Sequence, residues 1–310
     1  MISLLLTFTL GANASEVVRV APWELHNSFW MSLHQTLMSE VRRTRVLGAL
    51  TAEEQAVWND AVAAYRTAAG NAGNVTFTRP MVITVDGITQ VADDALEPAI
   101  DAPMADALRR AAPVYRKHWW PADEKANRFF LGYAAALLRD AGEELIQAHE
   151  KVYRTPWPKR IRAFVSPEGG PFGAYTMTTL QLGGITTVMS SRDPGYQGLR
   201  ALEMLLHESS HAVVDPNRGT VAAAISAAAK KHGVPIPADL WHAILFATSS
   251  ELTRRVLAGR GVTDYVPYSQ DMLTRVWPKY REPIETHWLP YLSGTGTLED
   301  AMEKVVAAIQ

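Results

Sequence analysis

The feature that most limits how this chain can fold is a break in texture at Arg160. Before it, apolar residues recur mostly at helical spacing. After it come Ile161-Arg162-Ala163-Phe164-Val165 and then residues 175–190, dense in Thr, Val, Ile and Met, a composition that favours extended backbone. A Gly/Pro-rich loop, 166–173, separates the two stretches, and Gly183-Gly184 divides the second into strand, turn and strand. Asp193-Pro194 follows, an N-cap residue with Pro at the first helical position, and predicts a helix to about Val214 that Pro216 stops. A few strands must therefore find burial among many helices. The expected class is α+β, predominantly α-helical.

The flanking segments supply those helices. Residues 22–46 carry Leu25, Phe29, Leu33, Leu37 and Val41 at helical spacing. Thr51-Ala52-Glu53-Glu54 is a capping-box signature for a second helix to about Ala69. Residues 80–90 alternate around Asp86-Gly87, which predicts a short β-hairpin. Helices over about 103–118 and 121–153 end at Thr155-Pro156-Trp157-Pro158. Beyond Val214 the pattern gives helices at 220–232 and 238–258, two Trp/Tyr-rich helices, and a last one capped at Thr297. The chain thus divides into a mostly helical region, 15–158, and a region 159–310 that carries the strands. One compact unit comprising both is the alternative division.

The first residues suggest targeting. Residues 2–10 form an apolar run, and Ala12-Asn13-Ala14 has the small-x-small form of a signal-peptidase site before Ser15. Export, periplasmic or secreted, with residues 1–14 as signal peptide is the expectation; a buried first strand is the alternative. No stretch reaches the roughly 18 apolar residues of a membrane span.

Composition decides what chemistry is open. The chain has no cysteine, which removes disulfides, thiolate catalysis, Fe–S clusters and Cys-type zinc sites, so a metal site is expected to use His, Asp or Glu. With 30 Lys+Arg against 32 Asp+Glu it offers no electrostatic footprint for nucleic acid. No phosphate loop, dinucleotide fingerprint or Gly-x-Ser-x-Gly elbow is present.

His207-Glu208-Ser209-Ser210-His211 falls within the helix predicted after Asp193. Histidines at i and i+4 sit about 40° apart and one turn apart, so both imidazoles can reach one cation. Glu208 is rotated about 100° from His207, where it can deprotonate a metal-bound water without displacing it. This His-Glu-x-x-His helix resembles that of the zincin metallopeptidases. The likeness covers roughly residues 175–214. It implies an active-site helix packed under a small mixed or antiparallel sheet, a Zn²⁺ cofactor, and an edge strand that aligns peptide or protein substrate; Gly184–Ser190 is the segment that would match. Val214 and Asn217 stand where the metzincin extension would have Gly and His, so the likeness is to gluzincins, with a third ligand from a later helix.

Two residues compete for that place, His242 being the expected third ligand and Glu251 the alternative. His242 lies in the first turns of the 238–258 helix, on the stripe of Leu245, Phe246, Ser249, Thr253 and Val256; Glu251 has the chemical type gluzincins use, but Arg255 four residues on offers it an ordinary ion pair. They lie nine residues apart, on opposite sides of an unbroken helix, so one metal cannot take both. Glu203 is a candidate acceptor for the second ring N–H of His207. Tyr265, Tyr268 and His118 are candidate donors to a developing oxyanion. His26, His34, His149, His232 and His287 show no ligand spacing. The expected function is that of a zinc-dependent hydrolase, most simply a metallopeptidase with Glu208 as catalytic base; the alternative is a non-catalytic, exported metal- or peptide-binding protein that retains the motif helix.

Overall fold

A computed structural model describes residues 16–41, 50–91, 100, 102–179 and 184–309. Among these residues five strands are formed: β1 (Glu16–Val20), β2 (Trp23–Asn27), β3 (Ile161–Ser166), β4 (Ala174–Thr179) and β5 (Gly184–Ser190). β1 and β2 pair antiparallel across the cis Ala21–Pro22 bond. β2 runs parallel to β3 and β3 parallel to β5, while β4 closes antiparallel onto β5. The order is β1-β2-β3-β5-β4, which makes a mixed sheet with β4 at one edge. Because β2 pairs with β3, the sheet crosses the boundary at 158 and the two regions share it.

Side chains alternate across a strand, so one sheet feeds two cores. Trp23, Leu25, Ile161, Ala163, Val165, Ala174, Ile185 and Met189 point to one side. There they meet α5 (Trp120–Tyr153), α6 (Arg200–Ser210), α7 (Gly219–His232) and α8 (Leu240–Gly259), followed by α9 (Tyr268–Arg275), the short α10 (Pro278–Pro283) and α11 (Leu289–Leu292), and α12 (Leu298–Ala308). Phe164, Tyr175, Met177 and Val188 point to the other side, into a core built by α1 (Phe29–Glu40), α2 (Ala52–Ala69), α3 (Arg79–Ile88) and α4 (Ala102–His118). The arrangement is a predominantly helical α+β fold with the sheet between two helical layers. Among the described residues no helix is long and apolar enough to cross a membrane.

Three expectations need correction. Residues 23–27 are a strand, not helix: Trp23, Leu25 and Asn27 are buried in strict alternation, and the i,i+4 series from Leu25 masked that period of two. The hairpin at 80–90 is instead α3. Pro80 stands in its first turn, Met81, Val85 and Ile88 face the core, and the run of β-branched residues is overridden by packing; Gly87 lies within the helix because a Cβ there would meet Ile100 Cγ1 at 2.3 Å. The helix after Asp193 also begins later. Asp193 accepts from the Gly195 N–H (2.8 Å) and caps only a 3₁₀ turn, after which Gly198 adopts a left-handed φ of 59° before α6 starts. The segments 1–14 and 42–46 lie outside the described residues.

Buried histidines, among them His34 and His149, make the stability of this fold fall in acid. In α1, burial holds the His34 imidazole down to about 3; in α5, burial holds His149 at about 4, with Nδ1 against the Leu145 carbonyl at 2.7 Å. The unfolded chain binds these protons near pH 6.5, so their contribution is complete above that pH and is lost as pH falls toward the folded values. Each adds a slope of up to about 1.4 kcal/mol per pH unit in that window. Denaturant midpoints are therefore expected to fall steadily from pH 7 to pH 4.5; a midpoint unchanged between pH 7 and 5 contradicts the neutral burial of these histidines.

Candidate metal centre

The site is built where α6 is gripped from both sides. Ala201, Leu202, Leu205 and Leu206 are buried, and the two residues inside the motif are small hydroxyls that satisfy themselves within the helix. Ser209 Oγ donates to the Leu205 carbonyl and Ser210 Oγ to the Leu206 carbonyl. Trp23 Nε1 of β2 donates to Ser209 Oγ at 2.9 Å, which ties the motif to the sheet. α8 packs against α6, and its first turn delivers His242. α6 ends at the motif: His211 is its C-cap, still in helical geometry with φ −58° and ψ −15°, so the one-turn spacing from His207 is preserved.

The structure brings His207, His211 and His242 together, with one ring nitrogen from each within 4.8 Å of the others. His207 Nε2 and His242 Nε2 are 3.3 Å apart. Two nitrogens bound tetrahedrally at about 2.05 Å from a zinc ion would be separated by about 3.4 Å, so this pair fits a shared small cation. Aromatic rings fix the imidazoles. Phe246 lies 3.7 Å from His207, Trp241 stacks on His242 at 4.9 Å, and Trp277 meets His242 edge-on at 5.3 Å. Burial holds the His207 imidazole well below its ordinary range, His211 down to about 3 and His242 at about 4, and their mutual proximity opposes charging further. All three are neutral at pH 7, the form in which imidazole binds a metal. His207 is 1% exposed, whereas His211, His242 and Trp241 are half-buried, so the cluster opens to solvent on that side.

Glu208 points the other way round the helix, to the sheet. Its Oε2 accepts from Thr176 Oγ1 of β4 at 2.7 Å, and burial raises its carboxyl to about 7 against the lowering effect of that hydrogen bond. A carboxyl so placed is a weak base in water made stronger, the property a proton acceptor needs near neutral pH.

The other candidates separate cleanly. Glu251 is not in the cluster; its carboxylate is held by Arg254 and Arg255 at 2.7–2.8 Å, the plain ion pair that its spacing suggests. Glu203 does not serve His207, whose Nδ1 is buried without a partner. Instead Glu203 accepts from Ser250 Oγ, the Tyr265 hydroxyl and the Tyr268 N–H, and so pins the 265–268 segment onto α6. That spends the Tyr265 hydroxyl on Glu203, which removes it as an oxyanion donor. Tyr268 stays near the centre, its ring 6.1 Å from Phe246 and 5.6 Å from Tyr196, and Tyr196 feels the charge of Glu208. His118 is excluded by its place in the opposite layer, where it pairs with Glu54 at 3.1 Å. Gly184–Ser190, expected as the edge strand, is internal, with β3 on one side and β4 on the other; β4 is the edge strand on that side of the sheet. Thr176, Tyr196, Trp241 and Trp277 carry no spacing signal and become visible only when the elements pack, whereas Phe246 lies on the stripe that His242 shares.

Loss of any one of the three imidazoles should cost the cation. His207→Ala, His211→Ala and His242→Ala are each expected to abolish stoichiometric binding of a divalent transition metal in a chelator competition, while Glu251→Gln binds as the parent does; tight binding by the His242 variant contradicts the three-histidine site. Comparison with protein-family models, with curated proteins and with solved structures finds no match to this chain.

Proposed function

We propose that this protein is a zinc-dependent hydrolase acting on peptide bonds, of the zincin kind that its motif resembles. The observation that carries the reading is the convergence of three neutral imidazole nitrogens within 4.8 Å beside a buried, hydrogen-bonded carboxyl on the same helix turn. Imidazoles with no thiolate suit zinc, and three protein ligands leave a fourth position open, the pattern of catalytic rather than structural sites. When bound, zinc would supply a Lewis acid that polarises a carbonyl and acidifies water.

The chain's own groups account for the remaining requirements. His207, His211 and His242 hold the cation without neutralising any of its charge. Glu208 accepts a proton from the attacking water at its carboxylate and returns it to the leaving amine. β4 is an edge strand of the sheet, the position at which an extended peptide could add as a further strand, and the same strand carries the residue that holds Glu208. Export rests on the run at residues 2–14, and N-terminal sequencing of the mature protein is expected to begin at Ser15.

Glu208→Gln should retain one zinc per chain and lose hydrolysis of a general peptide library by about 10²–10⁴-fold. Removal of zinc by a chelator should abolish the same activity, and zinc should restore it. A Glu208→Gln variant that hydrolyses peptides at the parent rate would overturn the mechanism.

A further inference from the structure

We propose that Thr176 is a positioning residue for Glu208: its hydroxyl fixes the carboxyl in the orientation the proton transfer needs. This inference rests on the hydrolase reading above.

The argument begins with counting hydrogens. The Thr176 hydroxyl has one proton and three oxygens in range: Glu208 Oε2 at 2.7 Å, the Glu208 carbonyl at 2.9 Å and Thr187 Oγ1 at 3.1 Å. The carboxylate is the nearest and the only charged acceptor, so it takes the proton. The Glu208 carbonyl already accepts from the His211 N–H at 3.3 Å. Thr187 is buried and stands directly opposite Thr176 across the β4–β5 ladder, on the same face of the sheet. Its hydroxyl is left to donate to Thr176, which gives a chain Thr187→Thr176→Glu208 with every dipole aimed at the carboxyl.

The geometry has a consequence for the carboxyl. A glutamate carboxylate turns about its last torsion in a broad, roughly two-fold well, so burial alone does not orient it. One held oxygen does. Oε2 is committed to Thr176, so on the hydrolase reading Oε1 is the oxygen assigned to the reacting water. The anchor stands on a strand of the sheet, not on a loop, and its ladder partner backs it.

The test compares Thr176→Val, which keeps the shape and suits a strand, with Thr176→Ser, which keeps the hydroxyl. Thr176→Val is expected to lower kcat about ten- to hundredfold, the loss of one hydrogen bond to a charged group, with KM and zinc content unchanged. Thr176→Ser should stay within about threefold of the parent, and Thr176→Val in a Glu208→Gln background should cost nothing more. Equal kcat for Val and Ser variants overturns the inference. Should Thr176→Val fail to fold, Thr176→Ala against Thr176→Ser decides it in the same way, equal rates again counting against it. Glu208→Gln measured alongside separates the two levels: if it is inactive while Thr176→Val is fully active, only the role of Thr176 falls; if it is active, the hydrolase reading falls as well.

Discussion

Desolvation of the imidazoles is the constraint on which the centre depends. A histidine in water is partly protonated near neutral pH and competes poorly for a cation against its own proton. Here α6 is wedged between the sheet and α8, and Phe246, Trp241 and Trp277 enclose the rings. Charging any one of them would bury a cation with two other imidazoles for neighbours. The same packing that stabilises the fold therefore keeps three lone pairs available at one point.

That environment acts on Glu208 in the opposite direction. Loss of water disfavours its anion and strengthens it as a base, while Thr176 returns part of the stabilisation through one hydrogen bond. Glu203, five residues earlier and buried as deeply, has a different fate because three donors converge on it from Ser250, Tyr265 and Tyr268. Two buried carboxyls on one helix thus divide into an anchor for a neighbouring segment and a group with an oxygen to spare.

How far the residues alone reach can be judged from individual elements. The His207–His211 pair is visible because a helix turn places i and i+4 on one face whatever surrounds it. β3, the β4–β5 pair and the capping box at Thr51 are legible for the same kind of reason, a short-range signal that packing reinforces. The misreadings at 23–27 and 80–90 arise where two periods overlap. Leu25 serves a helical series and a strand alternation equally well, and only β3 lying alongside makes the strand the better choice. In α3 the β-branched run favours extension locally, yet burial of Met81, Val85 and Ile88 against α1, α2 and α4 outweighs a propensity of a few tenths of a kcal/mol per residue.

The residues by themselves determined that two imidazoles and a carboxylate share one helix turn, that no thiolate ligand exists, and that strands are few among many helices. Which of His242 and Glu251 joins them was open at that level, since helix geometry says only that one must be excluded. The tertiary structure decided it, by seating the first turn of α8 on α6 and leaving Glu251 to two arginines. It also decided which strand is the edge and which hydroxyl meets Glu208. These are contacts between residues 32 and 35 positions apart, Thr176 with Glu208 and His207 with His242, and no periodicity reaches across such intervals. They are set by how apolar faces pack, and packing is a property of the whole chain.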